Sequence, residues 1–387
     1  MELDWVISAM RKKVCIIGGG IVGTSIAYHL RNENVNCTLF EKGKLGSGTS
    51  SDSIGGFHMF FGEEWEHDFY SYGWRLYQSW AKDPTSNISF HRTGRLTIAE
   101  TENEVPSEVL APAEFTRGTG HENISILSPK ETAEFLLGLD ISSITKSIYT
   151  GTAGYFDPIE LIHEFADKAQ DCGVKIMTDM EVKEIVVEKD SIQGVVTEDG
   201  EFDFDVVINA AGPWAIKVGA MAGVELPLVH TKGQVLVLKP KEEIDRPIPM
   251  ALFTPKGGYL RDEIGGKIIV GKQVYDLDNK LEAGFFDPDR SPSSAEPYFK
   301  EFVAREMSSK LPFLSDGEIL DEWVGYRTVT PDFVPIIDYS PINGFILSVG
   351  YSGRGIILAP MGGRMTARMV TEKPIRRYRG KFQLDRF

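Results

Sequence analysis

The chain has 387 residues, 42% of them apolar, which suits two globular domains with sizeable cores and excludes disorder as the main state. A formal net charge of −15 argues against a nucleic-acid partner, because that binding rests on clustered Lys and Arg. Cys15, Cys37 and Cys172 are too few and too spread for a disulfide framework or a zinc site, and the seven His residues lack ligand spacing, so no metal is expected and the cytoplasm is the expected compartment.

Met1 to Met10 carries neither the basic leader nor the apolar core of a secretory signal, and no apolar run reaches the roughly 18 residues of a membrane span, so no transmembrane segment is expected. Residues 13–18 read as a buried strand. Residues 21–31 place Ile21, Val22, Ile26, Ala27 and Leu30 at helical spacing, and residues 36–41 read as a second strand. This βαβ order sets the intervening turn at the carboxyl edge of a parallel sheet, where ligands dock. Residues 85–150 read as mixed strands and loops. Residues 157–173 form a helix with Asp157 as N-cap, Pro158 in the first turn, Glu160 completing a capping box and Gly173 closing it. Strands follow at 174–178, 182–188, 192–197 and 205–210, with a hairpin turn at Asp199-Gly200. Residues 225–325 bring Pro-rich joints, β-type runs at 234–238 and 267–271 and a helix at 295–311. Residues 344–370 return to strand, Gly-rich turn and helix.

The motif richest in chemistry is Gly18-Gly19-Gly20-Ile21-Val22-Gly23. Its spaced glycines allow a tight turn, close approach of a pyrophosphate to backbone, and packing of helix on strand. The unpaired N–H groups at the helix start favour an anion. Glu41, at the tip of the second strand, is placed to accept hydrogen bonds from a ribose diol, and a carboxylate there argues against NADP.

Further segments resemble the D-amino-acid oxidase superfamily of FAD enzymes, in its glycine oxidase, sarcosine oxidase and proline dehydrogenase-like branch. Gly46-Ser-Gly-Thr-Ser-Ser51 is similar to the family's second phosphate-contacting turn. Asp52 to His58 resembles the stretch beneath the isoalloxazine ring, and Asn209 to Trp214 the strand end near the pyrophosphate and ribityl chain. Val349 to Pro360 resembles the late helix start whose N–H groups, from Gly353 to Ile356, would stabilise negative charge on reduced flavin. The resemblance implies FAD contacts at Gly18, Gly20, Ile21, Val22, Gly23, Glu41, Lys42, Thr49, Ser50, Ser51, Gly55, Gly56, Val182, Ala210, Ala211, Gly212, Trp214, Gly325, Gly353, Arg354, Gly355 and Ile356. It implies a mixed α/β fold: a Rossmann-like FAD-binding domain in three β/β/α layers, and a substrate domain on a mainly antiparallel sheet with helices. The expected division is discontinuous, with 11–84, 151–224 and 323–387 binding FAD and 85–150 and 225–322 forming the substrate domain.

On the substrate side, Trp323 to Asp332 is similar to the family segment whose Arg grips a carboxylate, which puts Arg327 in that role, and Tyr259 matches a family Tyr that touches the same group. His58 is a candidate for the cavity, for proton acceptance or for flavin attachment, and also for an ordinary core position. Lys272 would place positive charge near reduced flavin, or be solvated. His29 and His230 read as structural. Covalent flavin attachment through a late Cys is excluded, since no Cys follows Cys172. The resemblance implies oxidation of a small amine-bearing carboxylate, with oxygen or another acceptor taking the electrons. Two alternatives remain: a flavin dehydrogenase of a hydroxy-substrate, and a flavin-binding subunit of a larger complex. Whether the chain forms a homo-oligomer stays open.

Overall fold

The computed structural model describes residues 11–120, 123–136, 138–244, 246–375 and 377–387; the reading of Met1 to Met10 lies outside them. Among the described residues no helix is long and apolar enough to cross a membrane.

The first strand, Lys12–Ile17, is the centre of a six-stranded sheet in the order Ile336–Tyr339, Phe345–Val349, Val206–Asn209, Lys12–Ile17, Val35–Phe40, Lys175–Met177. All pairs are parallel except the edge strand Ile336–Tyr339 against Phe345–Val349. Side chains alternate across a strand, so Val14 and Ile16 pack against the helices Ile21–Leu30, Pro158–Gln170 and Gly355–Val370, while Cys15 and Ile17 pack against an antiparallel meander, Glu184–Glu188, Ser191–Thr197 and Gly200–Asp203. Both faces are therefore covered, which explains the apolar character of the central strands. The expected β/β/α layering is what the structure shows.

A second sheet of nine strands joins Arg95–Ala99, Ile124–Leu127 and Lys146–Thr150 to the later strands Val229–Lys239, Met250–Thr254, Gly258–Glu263, Lys267–Lys272, Ala283–Gly284 and Glu318–Val329. It is antiparallel save for Met250–Thr254 beside Arg95–Ala99. One face sends Leu96, Ile98, Phe253, Leu260 and Val270 into a core with Phe299, Val303 and Leu311. The other face carries Arg95, Met250, Leu252 and Tyr259 toward the principal cavity.

Several elements differ from expectation. The 18-residue helix Glu64–Ala81 had no counterpart in the sequence reading. Its buried stripe of Trp65, Phe69, Tyr77 and Trp80 is aromatic, and aromatic side chains lose rotamer freedom in a helix. Residues 85–150 contain helical segments, Val105–Leu110, Ala111–Gly118 and Pro129–Phe135, the last with a Ser128/Glu131 capping box. The helix expected at 295–311 is interrupted: Pro297–Phe302, a π-helical turn at Val303–Met307, then Ser308–Lys310. Asp157 caps its helix through the Ile159 and Glu160 N–H groups, whereas the Glu160 carboxylate is engaged by the Ser89 backbone instead of closing the box.

Candidate active site

The glycine loop is shaped by close contact. Gly18 has a φ of +114°, and a Cβ there would lie 2.6 Å from the Ala210 carbonyl oxygen. At Gly23 a Cβ would lie 1.9 Å from the Gly18 carbonyl oxygen, so the helix can rest on its own turn only because that side chain is absent. Gly20 is the N-cap and supplies no side-chain cap. Ser50 Oγ accepts the Ile21 N–H at 3.2 Å, which ties the second turn to the first. Glu41 stands at the strand tip with its oxygens accepting the Gly19 and Gly43 N–H groups at 2.6 and 2.8 Å. Each carboxylate oxygen has lone-pair capacity left for a diol.

These pieces converge on a narrow cleft bordered by Ile21, Val22, Thr49, Ser50, Ala210, Gly212, Gly353, Gly355 and Ile356. It shares Thr49, Ser53, Arg327, Ser352, Gly353 and Ile356 with a cavity of about 500 Å³ that also meets Gly56, Gly325 and His58. Gly55 lies just behind, its carbonyl accepting the Phe156 N–H, and Ser51 Oγ donates to the Gly48 carbonyl within the second turn. The Ala211 N–H donates to Asn209 Oδ1 at 3.3 Å. Val182 is buried in the core between sheet and meander. Lys42 and Trp214 form an outer clasp: Lys42 Nζ sits 3.9 Å from the Trp214 ring, and both donate to Asp289.

Two expectations change. The Arg354 N–H, counted among the backbone donors to flavin, is spent on the Tyr351 carbonyl at 2.9 Å, and its guanidinium binds Glu66 and the Phe333 carbonyl, each at 2.6 Å. The late turn is thus braced by Arg354, and the free first-turn donors are those of Gly355 and Ile356. Lys272 does not bring an unpaired charge to the cavity: its ammonium meets the buried Glu282 carboxylate at 2.7 Å. Its carbonyl has the active-site contact instead.

Arg327 NH1 donates to that Lys272 carbonyl at 3.2 Å, and NH2 donates to the Tyr259 hydroxyl at 3.1 Å. Bare backbone makes this possible. A Cβ at Gly233 would lie 3.2 Å from Arg327, and one at Gly271 would lie 2.3 Å from the Tyr259 ring, so both side chains lie flat across the sheet. His58 is half-buried, its Nδ1 has no partner among the described residues, and burial, aided by Arg95, drives its pKa well below the usual range, leaving the ring neutral. His29 bonds the Ser25 carbonyl and the Tyr72 hydroxyl, and His230 the Pro213 carbonyl, both as structural groups.

The sequence reading missed two groups on this cavity. Asp52 lies against Gly325, and burial raises its carboxyl to about 6. Its signal was present, since it sits within the segment already assigned beneath the ring. Arg95 comes from a strand that no motif marks.

An anion cradle lined by glycines, a carboxylate at the ribose position and an uncapped helix start suit the two ends of FAD. Residues 13–369 match the family of FAD dependent oxidoreductases (DAO). The chain belongs to this family. FAD is accordingly its cofactor, as the motifs implied. The chain is similar to glycine oxidase of Geobacillus kaustophilus, 26% identical with 94% of each chain covered. It is also similar to human mitochondrial dimethylglycine dehydrogenase, 26% identical over 90% of this chain, although it spans only 41% of that relative's length. Among solved structures, L-proline dehydrogenase of P. horikoshii shares 28% identity and a TM-score of 0.84, covering 97% of this chain and 98% of that one.

Proposed function

We propose that this DAO-family protein oxidises a small amine-bearing carboxylate of the glycine, sarcosine, proline or D-amino-acid type at the carbon next to nitrogen, leaving an imine that water hydrolyses. The observation that carries this reading is the Arg327 guanidinium, steadied by Tyr259 and the Lys272 carbonyl at the cavity wall with no carboxylate against it among the described residues. A planar fork held on one side presents its remaining donors to a ligand carboxylate. The relatives named above for glycine, dimethylglycine and proline support the same substrate class.

FAD, when bound, supplies the hydride acceptor. The residues that would hold it are the glycine loop, Glu41, the turn at Thr49 to Ser51, the strand end at Ala210 to Gly212 and the helix start at Gly355 and Ile356. The substrate's orientation comes from Arg327 and Tyr259, while Met250 and Leu252 give the cavity an apolar wall that limits water. A hydroxy-substrate would need a base, and the lowered pKa of His58 makes that ring a weak one. We propose the division into FAD and substrate domains read from the sequence, with the strand Glu318–Val329 running across its last joint. The compartment we propose is the cytoplasm; Cys15, Cys37 and Cys172 are all unpaired.

The test is an anaerobic titration of the FAD-loaded protein with amino, N-methylamino and hydroxy acids, followed by admission of air. Bleaching by the amines alone is expected, and the response to air identifies the acceptor. Arg327→Leu should keep its flavin and lose about 1.5 to 3 kcal/mol of carboxylate binding, the range for a hydrogen bond to a charged group. Unchanged affinity for acetate would reject the clamp.

A further inference from the structure

Among the described residues three charged groups around the principal cavity, Arg327, Arg95 and Asp52, have no ion-pair partner, and the rest are matched. Glu66 meets Arg354 at 2.6 Å, Glu63 meets Lys381 at 2.7 Å and Asp332 meets Arg386 at 2.9 Å. Among the described residues Arg327 and Arg95 have no carboxylate at ion-pair distance, in a chain whose net charge is −15. Arg327 is the clamp of the preceding reading. Among the described residues Arg95 has no hydrogen-bond partner either; its guanidinium stands 5.9 Å from the Phe60 ring. Its electrostatic neighbours are the phenols of Tyr275 and Tyr70 and the Glu108 carboxyl, which burial pushes toward its neutral form. Burial likewise lowers the Arg95 pKa. A half-buried cation without a counter-ion carries a desolvation cost, and a ligand anion would offset it.

Backbone geometry sets where that anion would sit. Leu96 and Ile98 enter the apolar core, so alternation turns Arg95 to the opposite face, the one that carries Met250, Leu252 and Tyr259. Arg95 is in register with Met250, and Leu252 with Tyr259, so one strand separates Arg95 from Tyr259. Two strand spacings of about 10 Å, with the offset of about 7 Å along the strand between Met250 and Leu252, put Arg95 and Tyr259 about 12 Å apart at the backbone. The long side chains close part of that gap, and Met250 and Leu252 lie between as an apolar floor.

We propose that the substrate carries two carboxylates, one gripped by Arg327 and Tyr259 and the other by Arg95, making it a dicarboxylic amino acid or an amine with two carboxylate arms. The proposal rests on the Arg327 clamp and deepens it. Arg95 is then the residue that sets specificity.

Calorimetric titration of the FAD-loaded protein with succinate, glutarate and adipate, each against the monocarboxylate of equal carbon number, reads the second contact without turnover. At least one diacid should bind about tenfold tighter than its partner, as for a charge-assisted contact. Arg95→Met should abolish that difference, leave monocarboxylate affinity within about twofold and leave the flavin spectrum unchanged. Arg95→Gln serves in its place if the Met variant does not fold. Equal binding of mono- and diacids by the wild type, a diacid preference that survives in either variant, or loss of flavin on substitution would overturn the assignment. If monocarboxylates bind without dependence on Arg327, the clamp itself falls, and this proposal with it.

Discussion

Gly20 and Gly23 lie three residues apart and have opposite consequences. A Cβ at Gly20 would meet only Ser50 Oγ, at 3.0 Å, so Gly20→Val should fold yet purify colourless, its side chain filling the cradle. Gly23→Val drives into backbone and should destabilise the fold by on the order of 3 kcal/mol. Visible absorbance and a urea melt separate the two. Asp52 gives a pH signature. Its folded-state pKa is raised to about 6 by burial, so the folded protein holds that proton more tightly than the unfolded chain. Stability therefore falls as pH rises from the ordinary carboxylate value to about 6, and the cost is fully present above that. Asp52→Asn should stabilise flavin-free protein by on the order of 1 kcal/mol at pH near 8 and by little at pH near 3.5. Equal effects at both pH values would show that Asp52 does not titrate in this way.

At the scale of elements, caps and periodicity were legible wherever the stabilising contacts are local. Asp157 holds the Ile159 and Glu160 N–H groups at 2.7 and 3.2 Å. Asp157→Ala should cost about 1 kcal/mol in a denaturant melt, whereas Glu160→Ala, off the cap, should cost less. The helix Glu64–Ala81 shows the opposite case. Its aromatic face is held by Phe57, Phe156, Phe165 and Phe382, partners distant in the chain, so tertiary packing overrides a weak local preference. The side chains of Arg354 and Lys272 find their counter-charges in Glu66 and Glu282, which no spacing rule links to them.

At the scale of the molecule, FAD would touch segments spread from Gly18 to Ile356, so binding should couple to global stability. A flavin concentration a hundredfold above Kd should raise unfolding free energy by about 2.7 kcal/mol, seen as a higher melting temperature than for flavin-free protein. An unshifted melt would mean that the cradle forms no part of the cooperative fold. The sequence by itself determined the dinucleotide turn, because glycine spacing, strand-helix periodicity and the carboxylate at Glu41 impose their geometry within a few dozen residues, while the three-layer architecture and FAD were implied by its resemblance to the family. Only the tertiary structure decided which charges in the cavity stay unpaired. Arg95, Asp52, Tyr259 and Arg327 meet there through a sheet that joins strands from both halves of the chain, and the burial and pairing that set their chemistry exist only once those strands are side by side.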